Sequence, residues 1–328
     1  MTKLRAALVG LGIMGANHAR VLSNLDGVNL VAVADPQGDI RSSVPGTEIL
    51  TSVDEVIKMK VDYCVVAAPT AFHEEISLKL IDAGIHLLIE KPIAHTYESA
   101  KVIAEAAKLN GVIGAVGHIE RYNSALQQAR SRILNGELGE IYQITTRRLG
   151  PFPSRIADVG VVMDLATHDI DLTSWISNSK YKNLSAQSAI RSGRTYEDLV
   201  AVVALMSNGV VANHLVNWLS PLKERKTIIT GEQGTYVADT LTSDLTYYAN
   251  GTVNVSQQQI AHFKGVTQGD IQIFAFDKPE PLVIEHQNFR DAVLGKDSDY
   301  VSLASGTETV KVAESIIQSV RDQKVISL

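Results

Sequence analysis

Hydrophobic and polar positions follow two regimes along this chain. Up to about residue 118, short and nearly continuous apolar runs alternate with segments of helical period. The runs Leu4–Val9, Val28–Asp35, Val61–Ala68, Ile85–Ile89 and Val112–Val116 predict buried strands. Between them, Met14–Leu25, Asp54–Met59, Glu74–Ala83 and Tyr97–Leu109 predict helices. Thr96 stands where an N-cap belongs, and Gly84 and Gly111 stand where helix C-termini belong. Strands apolar on both faces, separated by helices, predict a doubly wound parallel sheet, which binds ligands at the carboxyl ends of its strands.

After Tyr122 the rhythm changes. Ser124–Leu134 predicts a helix closed by Asn135 and Gly136, Ile141–Leu149 a strand and Met163–Ile176 a helix. Strand-like runs follow at Leu184–Ser192, Leu199–Ser207, Val210–Trp218 and Lys226–Gly231, with Ser207-Asn208-Gly209 as a hairpin signal. Two helices, near Glu285–Leu294 and Leu303–Asp322, close the pattern. The fold class expected is α/β: an N-terminal Rossmann domain over residues 1–118, then an α+β domain over 119–328 with an open, mainly antiparallel sheet. An open sheet face also predicts a homodimer or homotetramer.

Composition narrows the class of partner. The chain has 328 residues, 45% hydrophobic and 20% charged, with a formal net charge of −6. That balance disfavours a nucleic-acid partner, and no apolar run approaches a membrane span. Lys3 and Arg5 before an apolar stretch resemble a secretory signal, but glycines interrupt the run and a βαβ pattern continues it. A cytoplasmic protein is the expectation. Cys64, inside an apolar run, is expected to pack as a small hydrophobe.

The first strand ends in Gly10-Leu11-Gly12-Ile13-Met14-Gly15, the spacing G-x-G-x-x-G. The first glycine permits a tight turn, the second lets a backbone approach a pyrophosphate, and the third lets helix and strand pack closely. Asp35, at the end of the second run, can accept hydrogen bonds from a ribose and would repel a 2′-phosphate. The expected cofactor is therefore NAD.

Two further stretches carry ionisable groups. Glu90-Lys91-Pro92 ends the fourth predicted strand, where a half-buried lysine could exchange a proton near a nicotinamide; a plain surface lysine is the alternative. In Asp164-Leu165-Ala166-Thr167-His168-Asp169-Ile170-Asp171, an uninterrupted α-helix would place Asp164, His168 and Asp171 on one face at i, i+4 and i+7. A carboxylate one turn from an imidazole suits a general base that removes a hydroxyl proton. The rivals are a metal site, disfavoured because no other histidine has ligand spacing, and a solvated acidic face. No metal is expected.

Taken in order, G-L-G-I-M-G, Asp35, A-P-T-A-F-H (68–73), E-K-P and D-x-x-x-H-D resemble the glucose–fructose oxidoreductase, inositol dehydrogenase and MocA-like family over essentially the whole chain. The resemblance implies nicotinamide-dependent oxidation or reduction of sugars and polyols. It implies Lys91 as the catalytic lysine, His168 as the proton-transfer residue and Asp164 beside the substrate. It places Gly10, Gly12, Ile13, Met14, Gly15, Asp35, Pro69, Thr70, His73, Glu90 and Lys91 at the cofactor.

G-H-I-E-R-Y-N (117–123) and the stretch from Arg147 to Asp171 resemble, more narrowly, a branch that oxidises the 3-hydroxyl of UDP-N-acetylglucosamine. This implies His118, Arg121, Tyr122, Arg148 and Arg155 in the substrate site, where Arg147, Arg148 and Arg155 would suit a diphosphate; ordinary structural arginines are the alternative. Ser124 stands where the family pattern often has proline. The expectation is an NAD-dependent dehydrogenase acting on a nucleotide sugar. An inositol or free-sugar dehydrogenase, a redox-neutral relative and a non-enzymatic NAD(H)-binding regulator are the alternatives.

Overall fold

A computed structural model describes residues 3–44, 48–153, 159–251 and 267–328. The chain divides into two compact units, Met1–Tyr122 with Pro279–Glu314, and Asn123–Lys278 with Ser315–Leu328.

In the first unit the apolar runs become strands β1 (Leu4–Val9), β2 (Val28–Ala34), β3 (Ile49–Leu50), β4 (Tyr63–Val66), β5 (His86–Glu90) and β6 (Gly114–Gly117). Helices α1 (Ile13–Asn24), α2 (Val53–Lys58), α3 (His73–Asp82) and α4 (Tyr97–Leu109) connect them. All described pairings are parallel, in the order β3-β2-β1-β4-β5-β6. That is the doubly wound sheet the pattern predicts. Local chemistry sets its boundaries. Thr96 Oγ1 accepts the Ser99 amide at 3.1 Å and opens α4, as its sequence position predicts. Cys64 is fully buried, and burial pushes its thiol well up.

The second unit holds α5 (Ser124–Leu134), β7 (Ile141–Pro151), α6 (Thr167–Ser177), β8 (Tyr181–Ala189), β9 (Leu199–Met206), β10 (Val211–Asn217), β11 (Leu219–Gly231), β12 (Gly234–Asp239), β13 (Asp244–Gly251) and β14 (Thr267–Ile273). Ser124 is the first residue of α5, behind an Asn123 cap whose Oδ1 accepts the Ala125 amide at 3.0 Å. A proline suits that first helical position, which explains the family preference, and serine is tolerated there. The sheet runs β14-β13-β12-β11-β7-β10-β9-β8-β15, where β15 is Ile326–Ser327; among described pairings only β7 with β10 is parallel. The Ser207–Gly209 turn joins antiparallel β9 and β10, as its sequence predicts. Strands β12, β13 and β14 were not expected from the pattern.

Two expectations need correction. The sequence reading assigns everything after residue 118 to the second domain, but α7 (Pro281–Val293) and the first part of α8 (Leu303–Asp322) complete the first unit. Phe289 packs edge-on against Tyr63, with centroids 5.4 Å apart, and the Val116 amide donates to Val301 O at 2.9 Å. Such contacts lie far apart in sequence, so local period cannot announce them. The second correction concerns the expected helix Met163–Ile176. It opens with a π turn, Val162–Ala166, before α6 begins. A π turn holds an extra residue per turn, so the uniform spacing of an uninterrupted α-helix does not run through Asp164.

Candidate active site

The glycine turn has the geometry a dinucleotide requires. Gly10 has φ +98°, and a Cβ there would meet the Ala67 carbonyl carbon at 2.6 Å. A Cβ on Gly15 would overlap Gly10 O, so helix and strand could not pack as they do. A Cβ on Gly12 meets nothing within 4 Å. Open space therefore faces the second glycine at the N-terminus of α1, whose first turn has no acidic residue. Free amide groups and a positive helix end facing open space fit a pyrophosphate. Ile13 and Met14 form the first turn of α1, with Ile13 47% exposed.

Asp35 closes this turn. Its Oδ2 accepts the Leu11 amide at 2.7 Å and its Oδ1 the Gln37 amide at 2.8 Å. A carboxylate has about four acceptor positions, so capacity remains for a ribose. Pro69 is exposed, and Thr70 opens a 3₁₀ turn, Thr70–Phe72, that leads into α3.

His73 is not placed as a cofactor contact. It is buried, with Nε2 2.9 Å from Ala68 O and Nδ1 3.1 Å from Pro92 O. It ties the end of β4 to the loop after β5. Burial pushes its pKa down, against these hydrogen bonds. Glu90 is likewise buried. Its Oε1 lies 2.9 Å from His18 Nε2, and its Oε2 accepts the Lys91 amide at 3.1 Å. Burial pushes the Glu90 carboxyl up, but His18 and Lys91 more than offset this and hold it below the usual range. Lys91 follows β5, half-buried, and its bond to Pro92 is cis. The loop after β6 carries His118, buried, and Arg121, which donates to Ser305 Oγ at 2.7 Å. Tyr122 is 3% exposed and donates to Asp299 O at 3.1 Å, so it is a packing residue of this unit.

In the second unit, Asp164 is buried within the π turn and His168 is half-buried on the first turn of α6. The start of this element is fixed by Glu197. Its Oε1 accepts the Val162 amide at 3.0 Å and its backbone carbonyl accepts the Val161 amide at 2.9 Å. Any Cβ on Gly160 would overlap the Glu197 carboxylate. Arg148 is not presented to a ligand: it is 4% exposed, with Nε 3.0 Å from Asp169 Oδ2. Asp171 is equally buried, which removes the solvated-face reading. Arg147 is exposed and pairs with Glu224 at 3.1 Å. Arg155 lies outside the described residues. No cluster of histidine, cysteine or acidic residues among the described residues has metal-binding geometry.

Sequence reasoning missed His18, Glu197, Glu285 and His286. His18, three residues after Gly15, was the one visible hint, a titratable group on an otherwise apolar helix face.

Residues 4–118 match the oxidoreductase family model with an NAD-binding Rossmann fold, and residues 126–237 match the C-terminal domain model of the same family. The chain belongs to the Gfo/Idh/MocA family of NAD-binding oxidoreductases. Among its relatives, UDP-N-acetylglucosamine 3-dehydrogenase of Acidithiobacillus ferrooxidans is 29% identical over 219 residues, 65% of this chain and 66% of that protein. Inositol 2-dehydrogenase of Corynebacterium glutamicum is 25% identical over 225 residues, 65% and 67% of the two chains. The matched segments thus span about two thirds of these relatives. The solved structure of the Acidithiobacillus enzyme superposes with a TM-score of 0.85 at 23% identity, covering 98% of this chain and 99% of that one. That likeness shows a shared fold. No helix among the described residues is long and apolar enough to cross a membrane.

Proposed function

We propose that this family member oxidises a secondary hydroxyl of a sugar, with NAD as hydride acceptor, and that the substrate is the 3-hydroxyl of UDP-N-acetylglucosamine or a similar nucleotide sugar. The observation that favours this substrate is the 29% identity, over 65% of the chain, to an enzyme named for that reaction.

The chain's residues divide the work. Gly10, Gly12 and Gly15 with the N-terminus of α1 hold the pyrophosphate, and Asp35 takes the ribose. NAD, when bound, supplies the hydride acceptor. Lys91 lends its positive charge to the substrate oxygen as the carbonyl forms. His168 takes the hydroxyl proton, and Asp164, buried just before it, orients the sugar. Arg155 is kept as a candidate for the diphosphate; Arg148 is not, because its guanidinium serves Asp169.

A second reading, an inositol or free-sugar dehydrogenase, is favoured by the inositol 2-dehydrogenase relative. We further propose a homo-oligomer built on the open sheet face, where Val203 on β9 and Val211 on β10 are both exposed, two residues apart in register; light scattering reads its mass.

The test is absorbance at the NADH band with NAD and UDP-N-acetylglucosamine, UDP-glucose, myo-inositol or glucose. Turnover confined to the UDP-linked amino sugar supports the first reading. Turnover of inositol or glucose alone replaces it with the second. Binding of NADH without turnover of any of the four refutes both.

A further inference from the structure

In the first unit, His18, Glu90, Glu285 and His286 are buried ionisable side chains that the proposed chemistry does not use directly. His18 on α1 is fully buried between two partners, with Nε2 2.9 Å from Glu90 Oε1 and Nδ1 2.8 Å from His286 Nε2. Glu285 and His286, on α7, are each 1% exposed. Neither Glu285 oxygen has a hydrogen-bond partner, and neither does His286 Nδ1.

The hydrogen bonds fix where the protons sit. An ionised Glu90 accepts Nε2–H of His18. If His18 were an imidazolium, Nδ1–H would donate to His286 Nε2, and His286 would bury an N–H at Nδ1 with no acceptor, which is costly. With His18 neutral, Nδ1 accepts from His286 Nε2–H, and the unpartnered His286 Nδ1 is only a lone pair. The chain therefore runs one way: His286 donates to His18, His18 donates to Glu90, and Glu90 accepts the Lys91 amide. Glu285 is kept neutral, pushed up by burial and then by the Glu90 charge. The titratable groups facing Glu90 among the described residues are His18 on α1, His73 on α3, Glu285 on α7 and Lys91 beside it.

We propose that His18 is a positioning residue for Lys91: clamped between His286 and Glu90, it holds an ionised Glu90 carboxylate against the Lys91 main chain. This rests on Lys91 acting as the active-site lysine. The hydrogen bond from its amide to that carboxylate sets the turn from which the Lys91 side chain leaves β5. Without His18, Glu90 keeps the Lys91 amide but loses its side-chain donor, and its carboxylate is no longer held against the Lys91 main chain.

The test compares His18→Ala, His18→Gln, Glu285→Gln and Lys91→Ala in the whole enzyme. His18→Ala should lower kcat about tenfold, leave KM for NAD within about twofold, and lower the plateau of the kcat/KM pH profile in proportion. His18→Gln places an amide N–H where Nε2–H was and should restore most of the profile. Glu285→Gln copies the neutral acid and should leave it unchanged. A His18→Ala profile that superimposes on wild type, with Lys91→Ala inactive, would overturn the positioning role and spare the function of Lys91. Full activity in Lys91→Ala would instead refute that function and this role with it. Should His18→Ala fail to fold, ring ¹⁵N spectra of the wild type decide: His18 should show the Nε2–H tautomer, and the Nδ1–H tautomer would refute the clamp.

Discussion

The carboxylate of Asp35 is bound to the amide of Leu11 at 2.7 Å, inside the glycine turn itself. The acidic residue that follows β2 therefore shapes the turn, besides the ribose contact proposed for it. Replacing it should cost the turn its anchor. Asp35→Ser should raise the Kd for NAD by about 10- to 100-fold, the equivalent of about 1.4–2.8 kcal/mol. Adding Gln37→Arg should move the NADP:NAD preference upward, because the repelling charge has become an attracting one. Calorimetric titration with both cofactors checks this, and an unchanged ratio would sink the argument for NAD selectivity.

The glycines should separate binding from folding. Gly12 borders open space, whereas a Cβ on Gly15 would overlap the backbone of Gly10. Gly12→Ala should keep the melting temperature within about 2 °C and weaken NAD at least tenfold. Gly15→Ala should lower the melting temperature outright, by about 5 °C or more, because backbone atoms must move. Differential scanning calorimetry and NADH fluorescence read the two effects apart.

Lys91 and His168 should be needed for chemistry and dispensable for the cofactor. Lys91→Ala and His168→Ala are each expected to lower kcat about 10²- to 10⁴-fold while NADH binding stays within a few-fold. Stopped-flow turnover with the productive substrate measures the first and NADH fluorescence the second. Wild-type kcat in Lys91→Ala would remove the mechanism.

Arg148 should behave as a structural cation. Its guanidinium and the Asp169 carboxylate are both nearly inaccessible and 3.0 Å apart. Arg148→Ala leaves Asp169 buried without its cation, an expected loss of about 3–5 kcal/mol. Urea unfolding of the variant checks this. A stable variant with only a raised KM for substrate would return Arg148 to the substrate site.

Acid should weaken the second unit through His214. This imidazole lies between Thr146 Oγ1 at 2.8 Å and the Tyr181 hydroxyl at 2.9 Å, and burial pushes its pKa down to about 4. The folded pKa lies below the unfolded value of 6.5, so the unfolded chain binds the proton first. The stabilisation is full above pH 6.5 and is lost as pH falls towards 4, in total on the order of 3 kcal/mol. Melting temperature measured from pH 7 to pH 4 should fall more steeply in wild type than in His214→Gln. Parallel slopes would count against His214 as the source.

What the sequence determined by itself is what one element or one turn encodes. The alternation of buried runs and helical periods specified the parallel sheet, because a strand covered on both faces must be apolar throughout. The glycine spacing specified the turn at Gly10, and strand ends specified where Asp35 and Lys91 sit, because these follow from chain order within a few residues. The Thr96 cap was legible for the same reason. Tertiary structure alone decided the rest. Tyr122 and Arg148 read as ligand-facing polar residues until the packing that covers them is known, and the same holds for His73 beneath the loop after β5. The π turn at Val162–Ala166 arises where Glu197, 35 residues away, takes the Val162 amide, and helical period cannot register that. The return of Pro279–Glu314 to the first unit, and the pairing of His18 with His286 across 268 residues, depend on surfaces that exist only once the sheet has formed. Period and spacing report which face a residue occupies within its own element; burial and partnership are properties of what packs against that face.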